Sequence, residues 1–253
     1  MSASTDKLDI RAVDELEQQY DSGIALRAIG PMVSRVLYVF AIAFVLYHYV
    51  TAGIGLPVDY WHMGIHLSGL FILILTGFPF WRSEKSMALK PNTWWRYANV
   101  PLIDWILIVL GVAGALHLGL SWRGWDFNLL GWTFSLPEQT LRQGDPRGID
   151  IFFGTVIVVL ALEIARRSLG IILPCIILVF IGYALFGPYL PLQILKHPGV
   201  DWRQFINNIY FPQEGIFGVT LWVVSTIVFH FVLFGVIAQR MGLGQFFIDN
   251  AMI

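Results

Sequence analysis

The chain has 253 residues, of which 57% are hydrophobic and 13% charged, and its mean hydropathy is +0.67. A soluble domain carries about 25% charged residues, so one water-soluble core cannot hide this much apolar surface, and lipid is the expected solvent. The net charge of −1 argues against a nucleic-acid partner, which would require a basic face.

Six long apolar runs fill most of the chain, and the charges lie almost entirely between them. In chain order the runs are Val36–Ile54, Trp61–Phe80, Pro101–Leu120, Ile151–Ala165, Gly170–Gly187 and Ile216–Ala238. A membrane-crossing helix needs about 20 apolar residues, whereas barrels use shorter segments of alternating polarity. The sequence therefore predicts an all-α, polytopic integral membrane protein with about six transmembrane helices.

The distribution of lysine and arginine predicts the orientation. The amino-terminal segment and the gaps after runs two, four and six hold Lys7, Arg11, Arg27, Arg35, Arg82, Lys85, Lys90, Arg96, Arg166, Arg167 and Arg240. The other gaps hold Arg123, Arg142, Arg147, Lys196 and Arg203. Eleven cations against five place both termini in the cytoplasm. This orientation depends on run four, because it is short and everything after it inverts if it does not cross.

The connecting segments carry weaker signals. Residues 1–30 are polar and acid-rich and are predicted to form a cytoplasmic amino-terminal segment, with no cleavable leader. The longest loop, 121–149, lies on the outer side by the charge count and contains a Gly144–Pro146 turn signal. A short surface helix is predicted over Asp201–Phe211. The single Cys175 lies inside run five and is interpreted as a packing residue.

Charged residues within spans are the usual functional candidates in a membrane protein, and few occur here. Asp104 lies in the first turn of run three, where a carboxylate complements the helix dipole. Glu163 precedes Arg166 and Arg167 by three and four residues, so these side chains share a helix face. We interpret them as a structural ion pair at the cytoplasmic end of run four.

Histidines raise the question of a metal or haem. His62 and His66 share a face of run two with a spacing that can bind a metal, but no acid or cysteine accompanies them, so no metal site is predicted. A haem with two axial histidines would need a pair from different helices; the candidates are His48, His62, His66, His117 and His230, and nothing in the sequence selects two of them. No catalytic motif is present, so the chain is not expected to be an enzyme.

Several motifs in the second half of the chain occur in a distinctive order. They are Gln143–Pro146, Ala161–Arg167, Tyr183–Pro191, Glu214–Gly218, Val232–Gly235 and Gly244–Asp249. This succession resembles the fused permeases of tripartite ATP-independent periplasmic (TRAP) transporters, in the branch served by TAXI-type solute-binding proteins. The first three runs resemble that family's amino-terminal region more loosely, through their topology and Tyr60–His66.

The resemblance implies a secondary transporter in the bacterial inner membrane that imports organic acids with a sodium gradient. It implies a periplasmic TAXI-type solute-binding protein as a partner, and sodium ions in the complete transporter with no cofactor on this chain. Residues 31–167 would form a small-subunit-like membrane domain of about four helices. Residues 168–253 would form the first two helices or so of a large-subunit-like domain. The ion- and substrate-binding part would then belong to a separate subunit or to a carboxy-terminal part that is missing.

Two outer loops, 121–149 and 188–214, are the expected docking surface for the binding protein. The candidate docking residues are Arg123, Arg142, Arg147, Lys196 and Arg203. Two other functions stay open at this point: a haem- or quinone-binding electron-transfer subunit, and a membrane anchor without a transport role.

Overall fold

The computed structural model describes residues 26–55, 58–81, 90, 92–121, 124–129, 131–211, 215–244, 246 and 250. The helices are α1 (Pro31–Ile54), α2 (Asp59–Gly77), α3 (Leu102–Leu120), α4 (Gly148–Leu169), α5 (Ile172–Phe186), α6 (Trp202–Tyr210), α7 (Val219–Val223) and α8 (Phe229–Arg240). A π-helical turn, Val224–Val228, joins α7 to α8, so the two form one continuous rod, Val219–Arg240, which we call the last span.

Within these residues, six helices are long and apolar enough to cross a membrane. They coincide with the six predicted runs, and the all-α, multi-pass architecture is confirmed. The helix α4 is longer than the apolar run four from which it was predicted. It includes Asp150 in its first turn and Arg166 and Arg167 in its last. At 22 residues it is long enough to cross a membrane, as the predicted topology requires.

Three spans pack closely around one core. We call α2, α3 and α4, together with the short α6, the central bundle. Its buried apolar side chains include Phe71, Leu118 and Ile157. Small residues allow close approach between α2 and α3, since a Cβ atom on Gly64 would lie only 2.8 Å from the carbonyl oxygen of Ala115. Such contacts are the usual basis of helix association in lipid, where apolar burial gives no driving force between helices.

The short helix α6 is present as predicted, and one of its faces is buried. Asp201 caps its amino terminus by accepting a hydrogen bond from the backbone N–H of Gln204 at 2.7 Å, a common helix-start interaction. Phe205, Ile206 and Tyr210 are buried, and the Tyr210 hydroxyl donates to the carbonyl oxygen of Gly114 in α3 at 2.7 Å. The helix is therefore part of the core rather than a surface element.

Two small antiparallel hairpins lie between the spans. One pairs Arg96–Tyr97 with Val100–Pro101, immediately before α3. The other pairs Trp125–Leu129 with Trp132–Leu136, inside the loop between α3 and α4. The indole of Trp132 is 74% exposed, consistent with an amphipathic ring at the membrane–water boundary.

Candidate functional site: buried charge networks and a histidine cluster

A network of buried charges joins three helix ends and the segment before α1 at one end of the bundle. Asp104, in the first turn of α3, has no exposed side-chain surface. It accepts hydrogen bonds from Arg27 at 2.7 Å and from Arg167 at 2.8 Å. Both guanidinium groups also donate to the carbonyl oxygen of Phe78, at the end of α2. Burial lowers the pKa of Arg27, and its hydrogen bond to Asp104 opposes that effect.

The ion pairs predicted within α4 extend this network. Glu163 accepts two hydrogen bonds from Arg166, both at 2.8 Å, and one from Arg167 at 2.6 Å. Arg166 also donates to the carbonyl oxygen of Phe80 at 2.9 Å and lies over the Phe80 ring, 4.4 Å from its centroid. Arg167 therefore joins Glu163 on its own helix to Asp104 on α3.

A second buried carboxylate lies at the opposite end of the bundle. Asp150, in the first turn of α4, is fully buried and pairs with Arg142 and with His117. The distance from His117 Nε2 to the Asp150 oxygen is 2.9 Å. This contact joins the end of α3 to the start of α4.

The two networks together support an alternating path of the first four spans. One network brings together the segment before α1, the end of α2, the start of α3 and the end of α4. The other joins the end of α3 to the start of α4. Helices α1 to α4 therefore run up and down in turn, which is the alternation that the predicted topology requires.

The candidate docking residues have different environments. Arg147, Lys196 and Arg203 are exposed, and Arg203 pairs with the exposed Asp145 at 2.5 Å. Arg142 departs from the expectation, because its guanidinium is buried and pairs with Asp150. Without Arg142 that carboxylate would lack a guanidinium partner. Arg142 is therefore not available for docking. Arg123 lies outside the described residues.

Four histidines form a cluster where α1, α2 and the last span meet. His48 from α1 and His66 from α2 approach through ring nitrogens 2.9 Å apart. His62 Nε2 is 3.1 Å from the carbonyl oxygen of Ser225, and His230 Nε2 is 2.8 Å from that of His48. His48, His62 and His66 are buried. The sequence did not predict this cluster, because its members lie up to 182 positions apart in the chain. The one signal in the sequence was the i, i+4 spacing of His62 and His66.

The π-helical turn explains how the last span joins the cluster. The Phe229 N–H donates to the Val224 carbonyl oxygen, five residues back, instead of to that of Ser225. The Ser225 oxygen is thus able to accept from His62. Single π turns often occur at functional sites for this reason.

This arrangement does not fit a haem with two axial histidines. Two axial histidines would have the iron between their facing nitrogens, whereas those of His48 and His66 are 2.9 Å apart and bonded to each other. His62 and His230 are bonded to carbonyl oxygens, and His117 is bonded to Asp150. Among the described residues, no group of three or more His, Cys, Asp or Glu side chains is placed to hold a metal ion.

Comparisons of the chain with models of known protein families, with curated proteins and with solved structures find no match.

Proposed function

We propose that this chain is the membrane scaffold part of a TRAP-type secondary transporter that imports organic acids with a sodium gradient. One observation carries the proposal. The spans fall into a packed central bundle and three sparsely covered spans outside it. In their most apolar stretches, 56%, 44% and 28% of the residues are buried inside the chain in α2, α3 and α4, against 17% for α1, 11% for α5 and 6% for the last span. A scaffold needs a rigid body and a broad apolar face that receives another membrane domain.

The charge networks support the rigid part of this proposal. Asp104 and Asp150 fix the two ends of the same bundle, and the ion pairs lie at span ends rather than at a central binding site. A fixed framework needs such ties, because a paired charge that is buried becomes costly as soon as its partner moves away. The motif succession that resembles TRAP permeases supports the choice of transporter class.

A periplasmic binding protein would dock on the outer loops. Arg147, Lys196 and Arg203 are exposed in the segments around α6 and before α4, on the side of the Asp150 network. Acidic groups on the partner would face them, and such rim charges affect the rate and selectivity of docking more than its affinity.

The decisive experiment is uptake by proteoliposomes. This chain is reconstituted together with the proposed transport-domain subunit and with the binding protein, and uptake of labelled carboxylates is followed after a sodium gradient is imposed. We expect sodium-dependent uptake that disappears when this chain is omitted. Uptake that persists without it would contradict the scaffold role and favour a membrane anchor with no transport function.

The docking surface has its own test in the same assay. The combined variant Arg147→Glu, Lys196→Glu and Arg203→Glu should reduce uptake at low concentrations of binding protein while leaving membrane insertion unchanged. Arg240→Glu, a reversal at the other end of the last span, is the matched control. Equal effects of both variants would remove the assigned docking surface.

The proposed orientation, with both termini in the cytoplasm of the inner membrane, is tested by labelling. Lys196→Cys should react with a membrane-impermeant maleimide in intact cells, and Arg240→Cys should react only after the membrane is opened. Cys175 is replaced by Ala in both. The reverse pattern would invert the topology and move the docking surface to the other side.

A further inference from the structure

Hydrogen-bond partners define which nitrogens of the cluster carry a proton. Nδ1 of His48 lies 2.8 Å from the carbonyl oxygen of Phe44, so it must donate, and its Nε2 is left as an acceptor. His66 Nδ1 then donates to His48 Nε2 across 2.9 Å. The remaining nitrogen, His66 Nε2, therefore carries a bare lone pair. A carbonyl oxygen cannot donate, so this is the one assignment of these contacts in which both imidazoles are neutral.

The bare nitrogen of His66 is buried and has no hydrogen-bond partner within the described residues. The whole side chain is almost covered, with His66 only 2% exposed. A buried polar atom without a partner requires an explanation, and a ligand that this nitrogen binds is one. The smallest ligand that an imidazole lone pair binds is a proton.

His230 differs from His66, because both of its ring nitrogens face a hydrogen-bond acceptor. Its Nε2 faces the carbonyl oxygen of His48 and its Nδ1 faces that of Thr226. A neutral imidazole has a single N–H, so it satisfies only one of these two acceptors, whereas the imidazolium ion satisfies both. The geometry therefore favours a proton on each nitrogen of His230.

We propose that His48, His66 and His230 form an intramembrane proton-binding site that holds one excess proton, either on His230 or on the His48–His66 pair. When a proton from water adds to His66 Nε2, the pair gains one positive charge, and the proton on His66 Nδ1 can move to His48 Nε2. Only N–H bonds form and break. Two cations this close in an apolar surrounding would repel strongly, so a proton on the pair requires its loss from His230.

Proton occupancy then controls how the last span is attached. With the proton on His230, the bond from Nε2 to the His48 carbonyl oxygen joins the last span to α1. After the proton leaves, His230 keeps one of its two carbonyl contacts. Because this bond is one of the contacts that join the last span to α1 and α2, together with the Ser225–His62 contact and the packing of the Phe229 ring on His48, the site links proton binding to helix packing.

Titratable groups face the cluster from each packed element. From α1, the Tyr47 hydroxyl lies 3.2 Å from His62 Nδ1 and donates to it. From α2, Asp59 in the first turn acts electrostatically on His62. The last span contributes His230 and, at its far end, Arg240. His62 donates to Ser225 and accepts from Tyr47, so both its nitrogens are satisfied in the neutral form and it serves as a positioning residue.

The test is nitrogen-15 magnetic resonance of the full chain in lipid nanodiscs, with labelled histidine and a chelator present. The chain has six histidines, and imidazolium, neutral Nδ1–H and neutral Nε2–H forms have separate signals. Replacing the histidines one at a time assigns them. Near neutral pH we expect the imidazolium fractions of His48, His66 and His230 to add up to one proton, while His62 stays neutral with its proton on Nε2.

Two variants redistribute the proton. The variant His66→Phe lacks the Nε2 lone pair that accepts the proton, so His230 should become fully imidazolium. In His230→Gln the excess proton should appear on His48 and His66. His197→Asn, in the loop after α5 and outside the cluster, is the control and should change neither signal. Wild-type protein in which all three histidines stay neutral between about pH 5 and 8, or carry two or more protons near pH 7, would overturn the proposal. So would variants that leave the distribution unchanged. This experiment requires no transport activity, so its outcome is independent of the proposed function.

Discussion

Asp104 and Asp150 occupy equivalent positions at opposite ends of the central bundle, yet their partners differ. Each carboxylate lies in the first turn of a span and is fully buried between two basic side chains. Asp104 faces two guanidinium groups, which stay charged at every physiological pH, whereas Asp150 faces one guanidinium and an imidazole that can donate while neutral. The carboxylate at one end of the bundle is therefore paired with two permanently charged groups, and the carboxylate at the other end with one.

Removing the Asp104 carboxylate should cause the largest effect. Asp104→Asn keeps the shape but leaves Arg27 and Arg167 buried without their central counter-charge, and we expect a loss of about 3–5 kcal/mol in the free energy of unfolding. Denaturant titration of the purified protein in mild detergent measures it. Asp145→Asn, the same change at a carboxylate that is 89% exposed, should have no measurable effect. A similarly small change for Asp104→Asn would show that the network does not hold the bundle.

Asp150→Asn should have a smaller effect under the same conditions. An imidazole, unlike a guanidinium, does not require a counter-charge; the buried Arg142 loses its carboxylate partner but keeps a hydrogen bond to the Pro137 carbonyl oxygen. We expect a loss of about 1.5–3 kcal/mol, typical of hydrogen bonds to a charged group. A loss equal to or larger than that of Asp104→Asn would contradict the distinction between the two ends.

The helix contact between the two ends gives the next prediction. In Gly64→Ala the added methyl group meets the backbone of α3, which cannot shift without moving the helix, and we expect a loss of about 1–3 kcal/mol. Gly182→Ala is the matched control, since a Cβ there meets nothing within 4 Å. Equal stability of the two variants in thermal unfolding would contradict the close approach of α2 and α3.

The exposed pair Arg203–Asp145 should matter least. Both side chains are largely in contact with solvent, so Arg203→Ala is expected to cost about 0–1 kcal/mol, and the cost should fall further at high salt. Unfolding measured at low and high ionic strength tests this. A large loss that salt does not reduce would mean that Arg203 has a structural role in addition to the proposed docking role.

The ion pairs of Glu163 show what could be predicted for the candidate sites. Their spacing of three and four residues determines that they meet on any helix, so the prediction holds. Asp104 was also placed correctly in a first helical turn, but its partners Arg27 and Arg167 are 77 and 63 residues away, and no local pattern pairs them. Arg142 was assigned to the docking surface because it lies in a predicted outer loop, while here it neutralises a buried carboxylate.

The sequence by itself determined the solvent, the six spans and the local contacts, because apolar run length, turn residues and helical spacing depend only on neighbouring residues. The tertiary structure alone decided which faces meet: the central bundle, the two buried carboxylate networks and the histidine cluster. The physical reason is that lipid solvates every face of an apolar span about equally well, so hydrophobicity does not select the face that packs. Which helices pair depends on small residues and on a few polar groups that must find each other across the fold.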